Sequence, residues 1–396
     1  MPIRRRRAQP VSDQSAARSE RRALRCGVTI SRIGILTSGG DAPGMNAAIR
    51  AATLVAAQRG IEVVGFERGW EGVLDSRLRE LTRRTTSPGS GIAPTHEVDT
   101  CASLGGSILG SARSKRFYES SERAKAKEAL SSSTQRVDGL IVIGGNGSLT
   151  GAHALHTEQG VPFIGIPASI DNDIGCTGTC IGVDTALNTI VEACDRITDT
   201  ARAHRRAFVV EVMGRQSGYL CMAASIAAGA DAALFREDGR SEDEIVAIVA
   251  DTVRRGFSDD RGKQRVLVLK AEGIEIPCTR LVRRVQEALD LTHPDLEIRA
   301  TVLGHLVRGG APSFLDRMVA SRFALGAVMA LAEGASDEMV AWQSPLSGGT
   351  PTVDRSVTRW SLTKVLDETR ALLDGGSGVI KQRVALMHAA AGVLAL

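Results

Sequence analysis

Aromatic residues are only 3% of this 396-residue chain, so its core has to rest on Ala, Val, Ile and Leu. No apolar run reaches membrane-spanning length. The seven cysteines are scattered and odd in number, and although Cys176 and Cys180 are spaced C-x3-C, no His or Cys pair completes a zinc set. Reduced cytosolic thiols are therefore expected. His153 and His156 have no third ligand nearby and read as solvated helix residues. No Gly-Lys-Ser/Thr follows a glycine loop, so a Walker A site is excluded. Basic bias is also missing from the body of the chain. Residues 1–25 hold eight Arg against Asp13 and Glu20, which turns a net charge of +4 into −2 for the remainder and argues against a nucleic-acid partner. That head has no apolar core segment and is expected to be disordered. Its Arg- and Ser-rich character faintly suggests a transit peptide, but two acids and the missing apolar h-region make an ordinary tail the better reading.

The composition, 43% hydrophobic and 24% charged, is that of a soluble globular protein, and the length suffices for two α/β domains. From Ile30 the pattern is strand, glycine loop, helix, repeated. Ile33–Leu36 leads to Thr37-Ser-Gly-Gly-Asp-Ala-Pro-Gly44 and a helix over Met45–Gln58. Leu140–Ile143 leads to Gly144-Gly-Asn-Gly-Ser148 and a helix through His156. Further strands are expected at Ile61–Phe66, Pro162–Ile166, Phe208–Met213, Val266–Leu269 and Thr301–Leu303, and a long helix at Asp184–Ala203. Residues 82–103 read as a surface loop, and Val353–Leu373 has helical spacing. Trp360 is expected in the core, and the Ala- and Leu-rich end as a helix or an oligomer contact. The expected fold is α/β: two Rossmann-like three-layer α/β/α domains with mainly parallel sheets. The division falls near residue 175, the chain returning to the first domain after about residue 308.

Glycine turns and charged residues fall at the carboxyl ends of the strands, where open α/β sheets bind ligands. The loops at Gly39–Gly44 and Gly144–Gly147 each open a helix, where bare backbone N–H groups and the helix dipole favour an anion. In Asp171-Asn-Asp173, an extended backbone would point both carboxylates to one side. One could hold magnesium while the other takes a hydroxyl proton, although Asp and Asn are also common in plain turns. Arg113, Arg206, Arg215, Arg299 and Arg308 each lie beside an expected strand end or glycine turn. Loops, carboxylates and arginines together argue for a phosphorylated substrate and a nucleotide or diphosphate donor.

At these motifs the chain resembles the phosphofructokinase family. The matching strings include Gly34-Ile-Leu-Thr-Ser-Gly-Gly-Asp-Ala-Pro-Gly44, Leu109-Gly-Ser-Ala-Arg113, Ile143-Gly-Gly-Asn-Gly-Ser148 and Ser169-Ile-Asp-Asn-Asp173. Val210-Glu-Val-Met-Gly-Arg215, Ala271-Glu-Gly273 and Arg299-Ala-Thr-Val-Leu-Gly-His-Leu-Val-Arg308 follow in the family's order. The resemblance implies a cytoplasmic glycolytic kinase that moves a phosphoryl group from Mg-ATP onto the 1-hydroxyl of fructose 6-phosphate. It implies Asp171 as general base, Ser169 bonding the moving phosphoryl group, and Arg215 and Arg113 neutralising transition-state charge. The donor would lie among Gly40, Arg113, Ser114 and Gly145–Ser148 (Gly145, Asn146, Gly147, Ser148), with Asp173 and Asn146 at the magnesium. Ile170, Met213, Gly214, Glu272, His305 and Arg308 would hold the sugar phosphate together with Ser169, Asp171 and Arg215. Arg206 and Arg299 would reach the 6-phosphate from a neighbouring subunit, as in the family's homotetramers, with a homodimer the alternative.

Three departures from the family pattern carry consequences. Asn146 stands where an acidic residue is usual, which lowers the negative charge at the metal and leaves a catalytically weak regulatory subunit open as a reading. Ser114 replaces an aromatic residue often found beside the base. The family's effector site is incomplete: Arg50, Arg77 and Lys263 match basic positions, whereas Leu54 and Thr198 do not. On the donor, diphosphate-dependent relatives usually carry Asp at the position of Gly147 and Lys at that of Ala168. Both residues here point to ATP, with the diphosphate enzyme as the alternative.

Overall fold

The computed structural model describes residues 30–85, 91–132, 136–290 and 293–390; the basic head lies outside the described residues. The strands are β1 (Arg32–Ser38), β2 (Glu62–Phe66), β3 (Leu78–Glu80), β4 (Thr82–Arg84), β5 (Ile92–Pro94), β6 (Gly139–Gly144) and β7 (Phe163–Pro167). There follow β8 (Ala207–Val212), β9 (Ala232–Leu234), β10 (Val266–Ala271), β11 (Ile298–Val302), β12 (Glu338–Trp342), β13 (Thr350–Pro351) and β14 (Val357–Ser361). Eight form one sheet in the order β13-β14-β12-β7-β6-β1-β2-β3, and four form another in the order β11-β8-β10-β9. The centre of the larger sheet, β12-β7-β6-β1-β2, is parallel, while β3 and β14 run antiparallel at its margins. The smaller sheet is parallel throughout. The mainly parallel character of the larger sheet goes with strands such as Gly-Leu-Ile-Val-Ile-Gly at β6, buried at every residue because helices cover both faces.

Seven helices matter for the site: α1 (Met45–Ala57), α2 (Asn146–Gln159), α3 (Val183–His204), α4 (Tyr219–Ala227), α5 (Phe314–Ala332), α6 (Leu362–Leu373) and α7 (Gly378–Ala389). α1 packs on α5, and α2 packs on α6, both pairs serving the larger sheet. α4 lies on β9 and β10 of the smaller one. α7 closes the chain by leaving α6 and docking on α4 and the turn at Arg236–Asp238. Aliphatic residues supply nearly all of the core: one cluster runs from the larger sheet through α3 and α4 to one face of β8 and β10, and a second lies on the other face of the smaller sheet.

Three sequence expectations need correction. Residues 82–103 are not simply a loop: β4 pairs with β5, and a short helix over His96–Thr100 follows. The sparse apolar residues Leu81, Val98 and Cys101 are fully buried and pin this polar stretch to the body. Val353–Leu373 is helical only from Leu362. Its first part leads into β14 at the margin of the larger sheet, where Trp360 is buried in the core as expected. His153 and His156 are not simply solvated. Nδ1 of His153 lies 2.7 Å from Oδ1 of Asp337, and Nδ1 of His156 lies 3.0 Å from the Val161 carbonyl, so both tie α2 to the loops flanking β7 and β12. The six cysteines among the described residues are free and buried, and burial pushes the Cys176 thiol up to about 12.

Candidate functional site

The carboxyl ends of β1, β6 and β7 open into a cleft of about 700 Å³ that also meets the β8–α4 loop of the smaller sheet. Gly39 and Gly40 come from the first glycine loop, and Gly145, Asn146, Gly147 and Ser148 from the second. A Cβ on Gly144 would meet the Ser38 carbonyl at 2.5 Å, so glycine is required there, and one on Gly40 would meet Nη1 of Arg308 at 2.8 Å, so that the guanidinium would have to move. Gly40 thus gives Arg308 the room to donate to the Asp41 carbonyl at 3.1 Å. Gly147 is different. A Cβ there would meet nothing within 4 Å, so packing does not demand glycine and the space belongs to the cleft.

Asp171-Asn-Asp173 is a turn rather than an extended run, with Asn172 in the left-handed region at φ 47°. The outcome resembles the expected one by another geometry. Both carboxylates line the cleft, while the buried Asn172 amide donates to the Gly178 carbonyl and accepts from the Cys180 N–H. The Asp171 N–H donates to Oγ of Ser169 at 3.3 Å, and that hydroxyl donates to Oδ1 of Asp173 at 3.1 Å. Asp171 itself is only 3% exposed, and its Oδ1 has no hydrogen-bond partner. Its arginines stand slightly back: Nε of Arg215 is 3.6 Å from Oδ2, and Nη2 of Arg308 is 3.9 Å from Oδ1. Burial, then the neighbouring Asp173 charge, pushes the Asp171 carboxyl up to about 6, against the pull of Arg308 and Arg215. A buried carboxylate raised in this way, in the lining of a cleft, has the properties a general base needs.

Arg113, Ser114, Ser169, Asp173, Arg215 and Arg308 join Asp171 and the glycine loops on one wall, as the sequence suggested. Others do not. Ile170 is fully buried in the core and offers no side chain to the cleft. Met213, Gly214, Glu272 and His305 lie off its wall, although the Glu272 charge reaches Asp171. Arg206 and Arg299 sit at the amino ends of β8 and β11, where both pair with Glu297, at 2.5 and 3.0 Å. Sequence reasoning missed Trp70 and Phe117. Their rings stack 4.1 Å apart within the cleft lining, while Ser114 accepts the Phe117 N–H and holds that turn. The signal was Gly69-Trp70, a tryptophan behind a glycine with φ 63° in a chain poor in aromatics.

Among the described residues no group of three or more His, Cys, Asp or Glu is placed to hold a metal. The site does fit magnesium in the mode that uses one or two protein oxygens plus substrate phosphates. Asp173 and Asn146 line the cleft, and the orphaned Asp171 oxygen adds to its negative charge.

Parallel strands ending in anion-cradling glycine turns, with a raised carboxylate among arginines, define a phosphotransferase-type α/β protein. Residues 32–331 match the model of the family described as Phosphofructokinase. The chain belongs to the phosphofructokinase family. It is 38% identical to the ATP-dependent 6-phosphofructokinase of Thermotoga neapolitana over 344 residues, 87% of this chain and 100% of that one. With the ATP-dependent 6-phosphofructokinase of Brevibacillus brevis it shares 42% over 313 residues, 79% of this chain and 90% of that one. The phosphofructokinase structure from Saccharomyces cerevisiae superposes with a TM-score of 0.75 at 28% identity, covering 91% of this chain and half (50%) of that one. A pyrophosphate-dependent phosphofructokinase from Marinobacter aquaeolei shares the fold at TM-score 0.69 and 20% identity.

Proposed function

We propose that this chain is an ATP-dependent 6-phosphofructokinase, which converts fructose 6-phosphate and ATP to fructose 1,6-bisphosphate and ADP at a committed step of glycolysis in the cytoplasm. The observation that carries the reading is the buried Asp171, a carboxylate with one unpartnered oxygen in the lining of a cleft between two glycine turns. Asp171 takes the proton of the sugar 1-hydroxyl, and that oxygen bonds the γ-phosphorus as the bond to the β–γ bridging oxygen breaks. Arg215 and Arg113 neutralise the equatorial oxygens, and Ser169 donates to the moving group. Asp173 and Asn146 would hold magnesium, which supplies charge neutralisation on the donor phosphates.

The open space at Gly147 favours ATP. An α-phosphate can occupy it, whereas an aspartate there would fill it with negative charge. The adenine is assigned to the wall of Trp70 and Phe117, an aromatic surface that offsets the loss at Ser114. The larger sheet's unit, residues 30–175 with about 308–396, takes the donor, and residues 176–307 take the sugar phosphate. Arg206 and Arg299 serve a neighbouring subunit's site in a homotetramer. Formation of fructose 1,6-bisphosphate and ADP in a coupled assay tests the reading; a folded protein with no turnover on ATP would sink it.

A further inference from the structure

The back of the catalytic turn is held by the last helix. α7 starts at Ser377, whose hydroxyl accepts the Val379 N–H, and it buries Ile380 and Met387. Halfway along, the half-buried Arg383 lays its guanidinium over the Tyr219 ring, 4.4 Å from the centroid. The same group donates from Nη1 to the Asn172 carbonyl at 3.4 Å. Asn172 lies between the two carboxylates of the site, and its left-handed backbone is what turns both toward the cleft. Tyr219 opens α4, immediately after the Gly214–Gly218 loop that carries Arg215. Asp173 and Glu237 are the acidic groups whose charge reaches the guanidinium.

Besides Arg308, which reaches Asp171 from the turn after β11, two links join the catalytic turn to the smaller sheet. One, Asp171 to Arg215, faces the cleft, and a phosphoryl group would compete for that arginine. The other, Asn172 to Arg383 to Tyr219, stays behind the cleft wall and touches no substrate. Arginine suits the second link because one planar group can stack and donate at once, which a lysine cannot.

We propose, on the functional reading above, that Arg383 is a positioning residue: from the C-terminal helix it holds the Asn172 peptide against Tyr219. The Asp171–Asp173 turn and the Arg215 loop then keep their spacing while Arg215 engages the donor. Neither substrate gains or loses a direct contact when Arg383 is replaced, so the cost falls on the chemical step. Sub-ångström misplacement of a base is felt in kcat before it is felt in KM.

The test is steady-state kinetics of the full chain as wild type, Arg383→Ala, Arg383→Lys and His388→Ala. His388 sits on the exposed side of the same helix, 3.2 Å from Asp238, and controls for helix docking alone. Arg383→Ala should lower kcat about tenfold or more with both KM values within roughly threefold of wild type, and Arg383→Lys should fall between. His388→Ala should match wild type. A wild-type kcat in Arg383→Ala, or an equal loss in His388→Ala, would overturn the proposal. If Arg383→Ala does not fold, a wild-type kcat in Arg383→Lys would overturn it alone. A silent wild type would instead strike the functional reading, and this proposal with it.

Discussion

On the proposed reading, Asp171 combines the general base and a stability penalty in one side chain. Its carboxyl ionises near 6 in the folded protein, above the ordinary aspartate value of 3.8. As pH rises through this interval the unfolded chain releases its proton first, so the folded state loses stability between about 4 and 6 and stays penalised above. Asp171→Asn should therefore raise the melting temperature at pH 7.5, give no gain below pH 4, and lower kcat by ~10²–10⁴. Calorimetry at both pH values with the coupled assay checks this; a destabilised, active variant would contradict it. The same ionisation should make wild-type kcat/KM fall below about pH 6. Gly147→Asp probes the donor. A Cβ at this position meets no protein atom within 4 Å, so folding should be little affected while kcat/KM for ATP drops ~100-fold. Unchanged ATP use would show that the α-phosphate does not lie there. Both residues were legible in the sequence, one by its motif and the other by contrast with diphosphate-dependent relatives. The turn geometry at Asn172 was not legible, because Asp-Asn-Asp fits extended and turned backbones alike.

Among the elements, the junction of α3 and α5 shows how loops far apart in sequence are locked. Oδ1 of the buried Asp316 accepts the Gly182 N–H, and Oδ2 accepts the N–H and the hydroxyl of Thr185. Asp316→Ala leaves those donors without a partner away from water, which should cost ~2–4 kcal/mol and lower the melting temperature by ~5 °C or more. A loss under 1 °C in differential scanning calorimetry would refute that account. The periodic elements were read from sequence to within a few residues, β1, β6 and α3 among them. Their apolar repeats are long, and glycine or a charged turn ends each one. The stretch 82–103 was not, since its short strands and helix are held by three buried anchors among polar residues. The β13–β14 margin was also missed, because a two-residue strand gives no period and the five-residue β14 runs straight into a helix, which blurs one period into the other.

At the scale of the whole molecule, the cleft holds the glycine turns and Asp171, but Arg206 and Arg299 lie off its wall at the other end of the smaller sheet. If those arginines complete a neighbour's site, Arg299→Ala should raise KM for fructose 6-phosphate ~10-fold and leave KM for ATP unchanged. At limiting fructose 6-phosphate, mixed oligomers of Asp171→Asn and Arg299→Ala subunits should regain activity above the average of the two parents, since some shared sites then carry both native residues. No regain, in particles shown by sedimentation to be mixed, would mean that each subunit works alone. The central claim meets its most direct test in initial rates with fructose 6-phosphate and magnesium, comparing ATP with diphosphate at matched concentrations. Turnover with ATP and none with diphosphate is the expected result. Turnover with diphosphate alone would contradict the reading of Gly147 and Ala168, and silence with both would leave Asn146 as the mark of a regulatory subunit.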